Sequence, residues 1–229
     1  MLSLILSGAA LCLPLVVGAR LSSFDYNQQS LLNAPDVKVS VQLGVMSRCP
    51  DALLCESRFA QVLDKVSDKV NLSLVYVAKI DDTEPDFGVW CMHGRQECAG
   101  NVQQLCVNKY APFPNWWEFV KCQNFQGREN IGLPEVAFKC AETADVDLET
   151  SGAGQCIGSD GSGIGTEGVT LLQESTLLGK ELGITKSCTV LISGRKVCVH
   201  DGSWKDCEGG HEVNDFVRQI EDEYERLNG

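Results

Sequence analysis

Apolar and polar residues alternate over nine positions early in the chain. Val37, Val39, Val41, Leu43 and Val45 are separated by Lys38, Ser40, Gln42 and Gly44. A period of two places one set of side chains on each face of a pleated ribbon, so a half-buried strand is predicted here. The period then changes. Phe59, Val62, Leu63, Val66 and Val70 recur every three or four residues, with Asp64, Lys65, Asp68 and Lys69 between them. That spacing predicts an amphipathic helix. Leu72 to Ile80 is mostly apolar and predicts a second, largely buried strand. Strand, helix and strand in this order make a βαβ unit, whose crossover is right-handed.

The other end of the chain has its own pattern. Thr189 to Ile192 and Val197 to His200 are short apolar runs around Ser193-Gly194, which predicts a hairpin. Asp201 to Gly210 is rich in turn residues. Val213, Phe216, Ile220, Tyr224 and Leu227 then mark a final amphipathic helix. Between these ends, from about 81 to 185, the character differs. Asn115–Phe125 and Thr170–Leu182 are predicted helices, and Thr143 to Gly168 is an expected exposed loop with Cys156 inside it. Trp116 and Trp117, with Phe113 and Phe119, form either the core of this region or an apolar platform for unfolded chains; packing inside is the commoner use. The plan is α/β: a thioredoxin-like βαβ–ββα order over residues 37–229, with a disulfide-rich, mainly helical insertion at about 81–185.

Composition adds compartment and partners. Residues 1–19 are uncharged and apolar and end Val17-Gly18-Ala19 before Arg20, as a cleaved signal peptide does. Residues 20–36 form a polar N-terminal arm. No later stretch is long enough to span a bilayer. The net charge of −12 argues against a nucleic-acid partner. Of 12 cysteines, Cys12 leaves with the leader. Eleven remain, and on an oxidising route most should pair, with at least one left over. Asn71-Leu72-Ser73 is a glycosylation acceptor. The expected location is secreted or endolysosomal.

The candidate chemistry centres on Cys49-Pro50-Asp51-Ala52-Leu53-Leu54-Cys55. Cys49 falls at the start of the predicted helix, where free backbone N–H groups and the dipole favour thiolate over thiol. Pro50 suits the first helical position. Arg48 adds a cation beside the thiol and Asp51 an anion. In a regular helix Cys55 lies about 9 Å further along the axis, beyond the roughly 7 Å that a disulfide allows between Cα atoms. Either the first turn is irregular and Cys49 pairs with Cys55, as a redox couple or a static bridge, or another group resolves Cys49. Cys188 is the second candidate partner. It stands in Lys186-Ser187-Cys188-Thr189, where a thioredoxin fold usually has a cis-proline beside the reactive cysteine.

A second cluster is more specific. Cys91, His93, Gly94, Glu97, Cys98, Asn101 and Cys106 stand at the offsets of Cys-Gln-His-Gly-x2-Glu-Cys-x2-Asn-x4-Cys, with Met92 in place of Gln. This resembles the signature of the gamma-interferon-inducible lysosomal thiol reductase (GILT) family. The resemblance implies a thioredoxin-like enzyme that reduces protein disulfides at acidic pH in an endolysosomal or extracellular compartment. The first cysteine of that family's Cys-x-x-Cys pair maps onto Cys49. The second maps onto Ala52, so Cys55 is the nearest substitute. From the residues alone, Cys91, Cys98 and Cys106 are expected to form disulfides that hold the insertion, rather than to bind zinc together with His93. Glu97 and Asn101 are expected to brace backbone groups, Gly94 to permit a tight turn, and His93 to be a structural histidine or a proton donor. Local pairing is expected of Cys198 with Cys207 and of Cys140 with Cys156.

The reading is therefore disulfide exchange through Cys49, on disulfide-containing protein substrates, with a small thiol or thiol protein as electron donor and no metal or organic cofactor. The alternative is a disulfide-stapled secreted module that has the fold without turnover.

Overall fold

The computed structural model describes residues 35–229, of which Val37–Gly229 form one unit. The signal peptide expected at 1–19 and nearly all of the arm at 20–36 lie outside the described residues. Strand β1 (Val39–Val45) follows the alternation: Val39, Val41, Leu43 and Val45 are fully buried. Helix α1 (Pro50–Val66) follows, then β2 (Val70–Tyr76), parallel to β1 in a register that sets Val39 against Val70 and Val45 against Tyr76. The chain closes with β5 (Thr189–Ile192), β6 (Arg195–His200), the short β7 (Trp204–Lys205) and α7 (Val213–Asn228). The sheet order is β2-β1-β5-β6-β7, with β5 antiparallel to β1. Ser193 and Gly194, both at positive φ, make the β5–β6 turn, as two-residue hairpins require. Helices α1 and α7 pack on one another through Phe59 and Phe216, whose ring centroids are 4.9 Å apart. On the other face of the sheet, Val75, Ile184 and Leu191 form a small separate cluster.

The second predicted strand is shorter than expected. It stops at Tyr76, and Lys79–Ile80 (β3) turns away to pair with Val89–Trp90 (β4) in a separate two-stranded ribbon. The insertion is helical: α2 (Arg95–Tyr110), α3 (Phe113–Phe125), α4 (Pro134–Thr143), α5 (Ala153–Ile157) and α6 (Thr166–Glu181). Trp116, Trp117 and Phe119 are buried in it. Two expectations are corrected here. The stretch 143–168 is no open loop, because α5 buries Ala153, Cys156 and Ile157. Cys140 does not pair with Cys156. Packing of α3 on α4 joins Cys122 to Cys140, and packing of α2 on α5 joins Cys106 to Cys156. Cys198 and Cys207 pair as expected. Asn71 is exposed on β2. No helix among the described residues is long and apolar enough to cross a membrane.

The Cys106–Cys156 bridge closes a separation of 50 residues. Replacing both cysteines with alanine should lower the unfolding free energy by about 4 kcal/mol through the freed denatured chain. Urea unfolding of the double variant beside the parent checks this; an unchanged midpoint would show that the bridge contributes nothing.

Candidate active site

The site begins where β1 ends. Met46-Ser47-Arg48 turns the chain, and Cys49 takes the cap position of α1 with an extended backbone (φ −79°, ψ 127°). Its N–H donates to Met46 O (2.9 Å), and its carbonyl accepts the first helical bond from Leu53 N–H (3.1 Å). Pro50 fills the first helical position, where no N–H is needed. The thiol thus lies against the positive end of a 17-residue helix. It is nearly buried, and among the described residues it is the one free cysteine.

Three distant parts of the chain hold this turn. From the loop before β5, Ser187 Oγ accepts Met46 N–H (3.0 Å), and Ser187 O lies 3.7 Å from Cys49 Sγ. From α2, Asn101 Oδ1 accepts Ser47 N–H (3.0 Å), and Glu97 O accepts Ser47 Oγ–H (3.1 Å). From the turn after α3, the carbonyls of Arg128 and Glu129 accept from the Arg48 guanidinium (2.9 and 2.7 Å). Helix α2 reaches the turn through Gly100: a Cβ there would come within 2.6 Å of Ile131 and 2.7 Å of Ser47 Oγ. Arg48 and Arg128 bring cations to this side of the thiol. Arg128 is held above its usual pKa chiefly by its hydrogen bond to Glu129.

The signature residues surround this anchor. Cys91 and Cys98 are bonded to each other, and Cys106 to Cys156, so the sulfurs of the zinc alternative are engaged in disulfides. Gly94, at φ +87°, caps α2. Fully buried Glu97 accepts His93 N–H (3.2 Å) and pairs with the His93 ring. Asn101 Nδ2 points at Cys91 Sγ (3.9 Å). His93 is engaged by Glu97, and no hydrogen bond joins it to Cys49 among the described residues.

Two expected partners of Cys49 are placed otherwise. Helix α1 is regular from Pro50, so Cys55 is carried away from Cys49 and into the core, where it is bonded to Cys188 (Cα–Cα 6.3 Å). Cys188 is correspondingly not bonded to Cys49. The Ser187–Cys188 peptide is cis, in the loop where a thioredoxin fold usually has a cis-proline and this chain has none.

Two groupings had no signal in the sequence. Asp51 Oδ1 lies 2.6 Å from His200 Nδ1 and accepts Gly202 N–H (2.9 Å), while its Oδ2 lies 3.8 Å from Cys49 Sγ. His200 comes from β6, 149 positions away. Five residues further along α1, Glu56 is buried, its Oε2 accepting from Asn124 Nδ2 (2.6 Å). Glu56 Oε1 and Asn124 Oδ1 have no partner among the described residues. Burial pushes Glu56 up to about 7, against a smaller opposing effect of the Asn124 hydrogen bond.

The comparisons follow this geometry. Residues 40–144 match the family model described as gamma interferon inducible lysosomal thiol reductase (GILT). No curated protein matches the chain in sequence. Among solved structures, oxidised BdbD from Bacillus subtilis is similar with a TM-score of 0.55 at 14% identity, over 82% of this chain and 88% of that one. MdbA from Corynebacterium diphtheriae, a thiol-disulfide oxidoreductase, gives 0.55 at 14% identity over 82% and 86%. Reduced DsbG from Mycobacterium tuberculosis, a disulfide bond oxidoreductase, gives 0.53 at 14% identity over 80% and 77%. These likenesses establish the thioredoxin-like fold.

Glu56 sets a pH dependence. A carboxyl raised from 4.5 to about 7 is neutral in the folded protein at pH 5 but ionised in the unfolded chain. Stability from this group is complete below pH 4.5 and falls as pH rises through about 7, by about 3 kcal/mol in total. Glu56→Gln should match the parent near pH 4 and exceed it at pH 8. Denaturant unfolding between these limits measures it; parallel curves would refute the assignment.

Proposed function

Because residues 40–144 match the GILT family model, we propose that the chain is a thiol–disulfide oxidoreductase that reduces protein disulfides through Cys49, in the acidic environment of an endolysosomal or extracellular compartment. The observation behind this reading is the cysteine count. Ten of the eleven described cysteines are in bridges, and the remaining thiol stands at a helix N-terminus. Such a position favours the nucleophilic thiolate.

In the forward step the Cys49 thiolate attacks one sulfur of a substrate disulfide. The Cys49–substrate bond forms, the substrate S–S bond breaks, and its other sulfur leaves as a thiolate that takes up a proton. A second thiolate then attacks Cys49 Sγ or the substrate sulfur joined to it. With Cys55 held by Cys188, the simplest second thiol is external, a small thiol or a thiol protein. Once such a donor has opened the Cys55–Cys188 bridge, Cys188 is the nearer internal candidate, since the residue before it already touches Cys49 Sγ. The signature residues act as a brace: Asn101 and Glu97 hold the turn that presents Cys49. No nucleic acid, metal or organic cofactor has a part in this scheme.

One observation favours a second reading, a disulfide-stapled binding module without turnover: the expected redox partner Cys55 is locked in a core bridge.

The two separate cleanly. Without reductant, iodoacetamide should label Cys49 and no other described cysteine, as read by mass spectrometry. With a thiol donor at pH 4–5, Cys49→Ser should reduce a test protein disulfide no faster than the donor alone. Parental turnover by Cys49→Ser would overturn the nucleophile assignment, and a parent with no turnover would leave the module reading.

A further inference from the structure

Asp51 is in the wrong place for a residue that merely surrounds a reactive thiolate. Its Oδ2 lies 3.8 Å from Cys49 Sγ, and two negative charges that close repel. Yet this carboxylate is held there deliberately. Its Oδ1 takes two donors from the end of the β6–β7 hairpin, Gly202 N–H at 2.9 Å and His200 at 2.6 Å. A carboxylate oxygen has no proton to give, so the contact requires the His200 tautomer that carries its proton on Nδ1 and donates it to Oδ1. Trp204 packs edge-on against the imidazole at 4.8 Å, and Trp204 is itself packed on His211 and Phe216. With Oδ1 occupied by two donors, Oδ2 is the more basic oxygen, and Oδ2 is the one that faces the sulfur.

We propose that Asp51 is a further catalytic residue that shuttles the thiol proton between Cys49 and the leaving sulfur, with His200 as the positioning residue that aims it. This rests on the reading of Cys49 as the nucleophile. The proton leaves Cys49 Sγ for Asp51 Oδ2, so the thiol becomes a thiolate as the carboxylate becomes a neutral acid. One negative charge is present before and after, and it moves to the sulfur rather than adding to the site. The thiolate attacks a substrate sulfur, forming one S–S bond and breaking another. Asp51 then returns the proton to the departing thiolate. The sum is Cys49 thiol plus disulfide giving mixed disulfide plus thiol, with no other oxidant or reductant.

The leaving group tests it. Oxidised glutathione releases a basic alkyl thiolate that is protonated on sulfur as it leaves, whereas a pyridyl disulfide releases a delocalised, weakly basic thiolate that takes its proton from solvent at the ring nitrogen and needs no acid at the sulfur. Single-turnover rates of Cys49 with each, at pH 5, give a ratio from which folding and access cancel. Asp51→Asn should lower the glutathione-to-pyridyl rate ratio by about tenfold or more, since it keeps the hydrogen bond from Gly202 but cannot hold the proton. His200→Phe, which keeps a ring against Trp204, should shift the ratio the same way by less, and it serves alone if Asp51→Asn does not fold. A ratio unchanged in the folded variants, whether both rates fall or neither does, would overturn the shuttle and leave Asp51 a structural tether. Parental Cys49 reacting with neither disulfide would overturn the nucleophile reading, and the shuttle with it.

Discussion

The buried hydrogen bond from Ser47 N–H to Asn101 Oδ1 (3.0 Å) is the constraint on which the site depends. It joins the turn after β1, which belongs to the sheet, to α2, which belongs to the insertion. A buried amide without its acceptor costs about 1–3 kcal/mol, so the turn and the helix are held in one geometry. Met46 N–H is taken up in the same way by Ser187 from the β5 side. Cys49 is therefore placed by partners 54 and 141 positions distant in the chain, more than by its own neighbours.

Around that anchor, the cysteines divide by location. Four bridges hold the insertion and the C-terminal hairpin region: Cys91–Cys98, Cys106–Cys156, Cys122–Cys140 and Cys198–Cys207. The fifth, Cys55–Cys188, ties α1 to the loop before β5, the two elements between which Cys49 sits. This is where the chain departs from a Cys-x-x-Cys site. A resolving thiol one helical turn from the nucleophile is replaced by a bridge buried beneath it.

The insertion is held as much by polar groups as by apolar ones. Tyr76 donates to Gln104 (2.7 Å), Gln104 to Gln123 (2.9 Å), Gln123 to Gln103 (2.8 Å), and Gln103 to the carbonyls of Gly161 and Gly132 (2.9 and 3.2 Å). A satisfied chain of this kind connects β2, α2, α3 and two loops and specifies one arrangement. Glu56 is buried with one oxygen unpaired, and that burial favours its neutral form.

The sequence by itself determined the elements whose packing is one-sided. The alternation in Val39–Val45 and the three-and-four spacing of α1 and α7 follow from having one buried and one wet face, and each was legible. So was the spacing of Cys91 to Cys106, because disulfides and a capped helix start require fixed offsets. Helix α2 was not legible, since it is buried on nearly all sides and puts Asn101, Gln103 and Gln104 in the core, which erases the periodic contrast. Only the tertiary structure decided the pairings. Cys55 turns to Cys188 because a regular helix carries it away from Cys49, and Cys156 reaches Cys106 because α5 is buried under α2. His200 meets Asp51 because β6 ends beside α1. Contacts of that kind join residues far apart in the chain, and local pattern holds no information about which distant surfaces will meet.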